Sequence, residues 1–309
     1  MGRRLSGVWR CPVTNRAIAL GTAQLGMAYG VANRRGMLSK SQAESILQTA
    51  IDLEVLVWDT APGYGCSETR IGEFLRRVGR PDGLELFTKL PRLPDGLTGP
   101  EVAVHVARSV EDSRSVLECE RLGGLLVHHV ADLARYGGAL VDALCECQRL
   151  GWVDRVGVSV YTAQEINTVA VRAELSAIQY PFNVFTQDAG PGATELASRG
   201  WRTFARSALA QGAVALSADQ VTPSLSPWLE RMTALCGRHD MSPVDAALGF
   251  ALERSGADHV VLGVEDPAQL TAAVATAQRP GASELYAAFQ EELAGGAQAA
   301  DPRGWTRTA

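Results

Sequence analysis

Short apolar runs and longer amphipathic segments alternate along the chain. The apolar runs are hydrophobic at consecutive positions, which is typical of parallel strands buried on both faces. They predict strands at residues 17–22, 56–60, 84–90, 124–128, 155–159, 177–180, 201–205 and 258–263. The amphipathic segments predict helices at residues 41–52, 66–78, 100–118, 133–150, 163–173, 193–198, 226–236 and 243–253. The pattern therefore indicates eight β-α repeats.

Local signals support these helices and favour a single domain. Ser41, with Glu44 three residues later, predicts a capping box, and Gly79 and Gly151 follow predicted helix ends, where left-handed residues are common. Eight repeats without a composition break predict one α/β domain over residues 1–309, a (β/α)8 TIM barrel. We expect a flexible C-terminal tail from about residue 294.

An open, doubly wound sheet is the alternative fold. It would carry a glycine-rich phosphate turn after its first strand. Gly21-x4-Gly26 is too loose for the G-x-G-x-x-G pattern, and the chain contains no P-loop motif. The closed barrel is therefore the favoured interpretation.

The amino-acid composition limits the kinds of partner that we expect for this protein. Of 309 residues 46% are hydrophobic, the net charge is −5 and the pI about 5.6. No basic block exceeds the Arg3-Arg4 and Arg34-Arg35 pairs, so we expect no nucleic-acid partner. No apolar run reaches membrane-spanning length and no secretory signal is recognisable, so we expect no membrane partner. Six scattered cysteines form no C-x-x-C motif, which favours a reduced, cytoplasmic protein without a metal site.

Polar side chains lie at or just past the ends of three predicted strands. Asp59 lies near the end of the second strand, with Tyr64 just past it, Lys89 lies near the end of the third, and His128 ends the fourth. The chain has 29 lysines and arginines together, of which only two are lysine, so a lysine retained here invites a chemical explanation. Strand ends share one face of a barrel, where the four side chains can meet. An ammonium beside a phenol lowers the pKa of that phenol, which suggests a proton-donating tyrosine.

These motifs resemble those of the aldo-keto reductases over about the whole chain. The most specific match is Trp58-Asp59-Thr60-Ala61-x-x-Tyr64-Gly65-x-Ser67-Glu68-x-x-Ile71-Gly72. Supporting matches are Leu20-Gly21-Thr22-Ala23-Gln24-Leu25-Gly26, Thr88-Lys89, Leu126-Val127-His128, Gly157-Val158-Ser159, Gln179-Tyr180-Pro181-Phe182-Asn183 and Gly263-x3-Pro267-x-Gln269-Leu270. The resemblance implies a (β/α)8 barrel, NADPH or NADH as an extended cofactor, and a catalytic tetrad of Asp59, Tyr64, Lys89 and His128.

Elementary chemistry agrees with such a tetrad. Reducing a carbonyl places charge on its oxygen, which must be protonated or stabilised. Tyr64 is the candidate acid, and a cation about 4 Å away is worth roughly 4 kcal/mol at an effective dielectric of 20, so Lys89 can shift its pKa. Asp59 can hold Lys89 charged, and His128 can donate a hydrogen bond to the substrate oxygen. Singly, each could be a structural residue, but the combination at strand ends favours catalysis. The side chain of His129 should point the other way, so it is interpreted as non-catalytic.

The resemblance also implies contacts with the cofactor. Ser159 and Gln179 would hold the nicotinamide carboxamide, and Arg206 with Ser207 would contact the pyrophosphate. Ser159 and Gln179 could instead only satisfy hydrogen bonds at strand ends, and Arg206 could be a surface residue. The remaining expected cofactor contacts are Gly21, Thr22, Gly263 and Gln269.

The residues expected near the adenosine part of the cofactor depart from the family pattern. The family carries Asn after the fifth-strand serine and Lys, Ser or Arg near the adenosine 2′-phosphate. The corresponding residues here are Val160, Gly263, Val264, Glu265, Gln269 and Ala273. Glu265 and Asp266 would repel a phosphate, so cofactor preference is predicted to be relaxed or shifted toward NADH. Arg202 and Arg206 are the candidates for a compensating cation.

The substrate is predicted to be a small carbonyl compound or the matching alcohol. Tyr29 and Trp58 are expected at the barrel mouth, and residues 24–33 resemble a bacterial subgroup often linked to sugar or secondary metabolism. An alternative is a cofactor-binding regulatory subunit of the same fold with little turnover. A lyase or isomerase on the same barrel would need phosphate-binding glycine loops after strands seven and eight. Gln211-Gly212 and Gly263 provide too few glycines for such loops.

Overall fold

Eight parallel strands close into a barrel in the computed structural model, which describes residues 17–305. Each strand pairs with its sequence neighbours, and the first pairs with the eighth, so the predicted (β/α)8 barrel is confirmed. The Arg3-Arg4 pair and Cys11 lie outside the described residues. The strands are β1 (Ile18–Gly21), β2 (Val57–Asp59), β3 (Glu85–Leu90), β4 (Gly124–Val127), β5 (Val156–Ser159), β6 (Ala177–Pro181), β7 (Arg202–Arg206) and β8 (His259–Gly263).

Helices surround the barrel, including three that the sequence pattern did not predict. α1 is a single turn, and α10 and α11 follow the last strand. The helices are α1 (Ala23–Gly26), α2 (Lys40–Asp52), α3 (Ser67–Val78), α4 (Gly99–Val116), α5 (Ala131–Arg149), α6 (Ala163–Val169), α7 (Gly190–Ser198), α8 (Ser226–Arg238), α9 (Pro243–Arg254), α10 (Pro267–Ala277) and α11 (Ser283–Glu292). Within residues 17–305, none of the helices combines the length and apolar character needed to cross a membrane.

The predicted capping box at Ser41 is wrong, because the N-cap of α2 is Ser39, two residues earlier. The Ser39 hydroxyl accepts from the backbone N–H of Gln42, whose side chain accepts from the Ser39 N–H. Both pairs fit the serine-x-x-acceptor pattern, so spacing alone could not choose between them. Gly79 and Gly151 do adopt positive φ, at 87° and 74°, just past α3 and α5.

Side chains alternate between the barrel interior and the helix layer, with a period of two. The interior layer contains Ala19, Val57, Phe87, Leu126, Ala177 and Phe204. The residues two positions further along the same strands have the same orientation; they are Gly21, Asp59, Lys89, His128, Gln179 and Arg206. Since successive side chains point to opposite faces, this parity directs all six toward the barrel axis at the C-terminal face.

The C-terminal segment, residues 294–305, packs against the C-terminal side of the barrel. The backbone of Gly296 lies against Phe185 and Trp228, and Ala300 is buried. The Trp305 indole N–H donates to the Ala299 carbonyl at 2.8 Å. This segment therefore contacts the loop that follows β6 and the first turn of α8.

Candidate active site

A buried ion pair lies at the C-terminal face. Lys89 Nζ is 2.7 Å from Asp59 Oδ1 and 2.8 Å from Oδ2, and it also donates to the Thr60 carbonyl at 3.0 Å. Both charged side chains are almost fully buried. Burial disfavours the ammonium, but the attraction of Asp59 and Tyr64 outweighs it and raises the pKa of Lys89. Lys89 is therefore a fixed cation at neutral pH.

This cation lies against the phenol of Tyr64. Lys89 Nζ is 4.9 Å from the centre of the Tyr64 ring, so the ammonium lies directly beside the phenol. Burial raises the pKa of Tyr64 above its ordinary value, and Lys89 acts in the opposite direction. Lys89 lowers the pKa of Tyr64, as the sequence predicts, but burial raises this pKa by more. The sequence could not predict the net direction, because the loss of water around the phenol depends on the fold. At neutral pH Tyr64 is thus a protonated phenol, the form that donates a proton.

His128 lies beside Tyr64. The two ring centres are 6.3 Å apart and the rings are nearly perpendicular. Burial, followed by the positive charge of Lys89, lowers the pKa of His128 to about 3. The imidazole is neutral across the physiological range and can donate one N–H without competing as an acid. His129 is exposed, and its ring centre lies 5.1 Å from that of His128.

Gln179 adds a second donor to Asp59. Its amide Nε2 is 2.8 Å from Asp59 Oδ1, and the side chain is buried at the end of β6. The carboxylate therefore accepts from both Lys89 and Gln179, which fixes its orientation. Gln179 also forms part of the cavity wall.

A cavity of about 540 Å³ extends from this centre across the barrel face. Its volume is within the usual range for small-molecule sites. Asp59 and Tyr64 form part of its wall, whereas Lys89 is buried beneath them. Of the other residues predicted from the sequence, those in the wall are Gly21, Thr22, Tyr29, Gln179, Arg206, Ser207, Gly263 and Gln269. Three polar groups converge on the cavity: the Gln179 amide, the Arg206 guanidinium and the Ser207 hydroxyl. Together they fit an amide-bearing anionic ligand such as a nicotinamide dinucleotide.

The loop after β7 gives this fit a structural basis. Ser207, Ala210 and Gln211 adopt positive φ between 45° and 62°. Such conformations are unfavourable for residues other than glycine and cluster at ligand clamps. The loop is held by Asn183, whose Nδ2 donates to the Ser207 carbonyl at 3.1 Å, and by Val31, whose N–H donates to the Gln211 carbonyl.

The far end of the cavity is acidic. Glu265 and Asp245 line it, and Arg206 is the single basic residue of the wall among residues 17–305. Gln269 is engaged locally, since its Oε1 accepts from the Glu265 N–H at 2.9 Å. Arg35 reaches the rim from the first loop and lies 3.9 Å from Asp266. The predicted lack of a cation within the late motif is therefore also a feature of the folded site.

Two sequence-based assignments need correction. Trp58 has no exposed surface, packs in the core between barrel and helices, and donates its indole N–H to the Val55 carbonyl at 2.8 Å. It has the opposite parity to Asp59 and therefore points away from the mouth. Ser159 is buried in register with Gln179, and its contact with the cofactor stays a prediction. Arg202 begins β7 at the opposite end of the barrel and pairs with Glu85 at 2.6 Å.

Sequence reasoning also missed residues that the fold brings to the site. Gln24 lines the cavity and lies so close to Gly263 that a Cβ there would be 2.2 Å from its Oε1. Glu68, matched only as part of a motif, accepts from Thr88 Oγ1 at 2.5 Å and from Ser113 Oγ at 3.2 Å. Burial raises the pKa of Glu68. This carboxyl joins α3 and α4 to β3 directly behind Lys89.

Comparisons with known proteins agree with this fold. A family model described as the Aldo/keto reductase family matches residues 17–292. A D-threo-aldose 1-dehydrogenase from a Pseudomonas species is 29% identical, and the alignment covers 82% of this chain and 90% of that protein. A pyridoxal 4-dehydrogenase from Microbacterium luteolum is 24% identical over 92% of this chain and 95% of its own. The holo form of a Bacillus halodurans aldo-keto reductase superposes with a TM-score of 0.72 at 18% identity, covering 90% and 92% of the two chains, which supports the fold alone.

Proposed function

Because the chain belongs to the aldo/keto reductase family, we propose that it reduces an aldehyde or ketone with a nicotinamide cofactor, or oxidises the matching alcohol. The observation that carries the proposal is the buried Asp59–Lys89 pair, with Lys89 against Tyr64 at the wall of a dinucleotide-sized cavity. A purely structural ion pair would not require a phenol and a neutral imidazole beside it.

Each member of the tetrad has a distinct role. When bound, the cofactor supplies or accepts the hydride. Tyr64 donates its phenolic proton to the carbonyl oxygen, and Lys89 stabilises the phenolate that remains. Asp59 keeps Lys89 charged and in place. His128, neutral because of its burial, donates a hydrogen bond that orients the carbonyl.

The substrate is proposed to be a neutral, hydroxylated carbonyl compound. Tyr29 brings a phenol to the mouth, and the two sequence relatives are named for an aldose and for pyridoxal. We expect neutral aldoses and hydroxylated aldehydes to be turned over with higher kcat/KM than simple aromatic aldehydes. The measurement is a panel of both classes with either cofactor, followed by competition with sugar phosphates. Stronger inhibition by anionic phosphates than by the neutral compounds would contradict this proposal.

The panel also separates the enzyme from the alternative of a regulatory subunit. That alternative is favoured by Glu265 and Asp245 at the far end of the cavity, whose negative charges would weaken the binding of NADPH. A binding subunit would bind cofactor and show no turnover with any member of the panel, whereas an enzyme would show turnover that depends on Tyr64.

Cofactor choice is proposed to be relaxed or shifted toward NADH. A 2′-phosphate is normally met by charge-assisted hydrogen bonds, and losing such a contact costs about 1.5–3 kcal/mol. Glu265 in the wall adds repulsion of about 1 kcal/mol if it is solvated. We therefore expect the Kd for NADPH to equal or exceed that for NADH in fluorescence titrations.

A pair of variants makes this measurement specific. Glu265→Gln should lower the Kd for NADPH by roughly fivefold and leave that for NADH nearly unchanged, since about 1 kcal/mol corresponds to that factor. Arg35→Ala tests the cation that lies 3.9 Å from Asp266 in the late motif. A tenfold or greater preference of the unmodified protein for NADPH, lost in Arg35→Ala, would show that Arg35 holds the phosphate and that this proposal is wrong.

A further inference from the structure

Tyr161 lies at the end of β5, between the cavity wall and the C-terminal segment. The guanidinium carbon of Arg206 is 4.4 Å from the centre of the Tyr161 ring, and that of Arg303 is 4.2 Å away. Arg206 belongs to the cavity wall, whereas Arg303 belongs to the C-terminal segment. One aromatic ring thus contacts two cations from parts of the chain about 100 residues apart.

Arg206 is held in a defined position by this arrangement. Its Nη2 donates to the Val160 carbonyl at 3.1 Å, and its Nη1 is 3.4 Å from Ser207 Oγ. With the Tyr161 ring on its face, the planar guanidinium loses much of its rotational freedom. An arginine fixed in advance loses less conformational entropy when it binds an anion than a mobile one does.

Two guanidinium groups on one ring would repel each other without a counter-charge. Asp301 supplies it: both of its carboxylate oxygens accept from Arg303, at distances of 2.6 to 3.0 Å. The attraction of Arg303, aided by Arg206, lowers the pKa of Asp301. The C-terminal segment therefore supplies both Arg303, which lies over the Tyr161 ring, and Asp301, whose negative charge offsets the repulsion between Arg303 and Arg206.

We propose that Tyr161 is a positioning residue for Arg206, holding its guanidinium on the cavity wall for contact with an anionic group of the bound cofactor, with Arg303 of the C-terminal segment bracing the ring. This inference rests on the proposed nicotinamide cofactor. The hydroxyl of Tyr161 has no part in it, because the ring face makes both contacts. The C-terminal segment acts on cofactor affinity through Tyr161.

Isothermal titration with NADH tests the proposal without requiring turnover. Tyr161→Leu should raise the Kd roughly 3- to 30-fold, the range expected from loss of a cation–π contact. Tyr161→Phe retains the ring and should bind within about twofold of the unmodified protein. Arg303→Gln should raise the Kd by a smaller factor, and because Arg303 is exposed, this variant folds even if Tyr161→Leu does not.

A double-mutant cycle distinguishes positioning from general destabilisation. In an Arg206→Ala background, Tyr161→Leu should change the Kd by less than about twofold, because the residue through which it acts is gone. An unchanged Kd in Tyr161→Leu, or an equal loss in both backgrounds, would overturn the inference and leave the proposed function intact. Failure of the unmodified protein to bind NADH or NADPH would instead overturn the proposed function, and this inference with it.

Discussion

Tyr64→Phe is expected to lower kcat for carbonyl reduction by roughly 10²–10⁴-fold while leaving cofactor affinity near that of the unmodified protein. The substitution removes a single hydroxyl, the group that would donate the proton. The ring stays in place beside Lys89 and His128. Single-turnover kinetics with the best substrate of the panel, together with a cofactor titration, measure both quantities.

Tyr136→Phe is a matched control. Its hydroxyl donates to the Pro94 carbonyl in the loop after β3, and neither residue belongs to the cavity wall. We expect this variant to retain nearly full turnover. If Tyr64→Phe also retains full activity, Tyr64 is not the acid and the proposed mechanism is wrong.

Lys89→Met is expected to abolish most activity and to change its dependence on pH. Burial already raises the pKa of Tyr64, and Lys89 is the principal group that opposes this increase. Without the ammonium the pKa of Tyr64 should rise further, so the alkaline limb of the pH–rate profile should move to higher pH while its plateau falls. An unchanged profile in the variant would disprove the electrostatic role of Lys89.

The fold of the Lys89 variant requires its own control. Removing one partner of a buried ion pair typically costs 3–5 kcal/mol, because the other charge remains unpaired. The double variant Asp59→Asn with Lys89→Met removes both charges and should recover much of the lost thermal stability without recovering activity. Lys40→Met alters the other lysine, which pairs with Glu73 on the surface, and should behave like the unmodified protein.

Lys89→Arg should also be impaired. The Lys89 side chain is 1% exposed, and its Nζ is enclosed by Asp59, the Thr60 carbonyl and the ring of Tyr64. A guanidinium is broader and planar, so it cannot occupy the same point between carboxylate and phenol without displacing one of them. Activity comparable to that of the unmodified protein would show that charge alone is sufficient.

The strand parity shows how far the sequence could specify the site. Asp59, Lys89, Gln179 and Arg206 each lie two residues past an interior apolar residue, so alternation alone directs them toward the axis. The same rule could have excluded Trp58 from the mouth, since it has the opposite parity. The error came from treating proximity along the chain as proximity in space.

Other features depend on weighing opposed forces that the sequence does not quantify. The net rise in the pKa of Tyr64 depends on how completely burial removes water, and the neutral state of His128 has the same origin. Likewise, the helices after β8 had no clear periodicity in an alanine-rich stretch. Their formation depends on packing against α2, α8 and α9.

The sequence by itself determined the eight β-α repeats, the closed barrel and the set of polar residues at strand ends, because period, strand order and strand parity are local properties of the chain. Tertiary structure decided which of these residues meet. It brought Gln179 to Asp59 across 120 positions and Arg303 to Tyr161. It also placed Arg202 at the wrong end of the barrel to help a phosphate. Such contacts depend on how the strand ends and the C-terminal segment pack at the barrel face, which is set by burial of the whole core and which no short motif encodes.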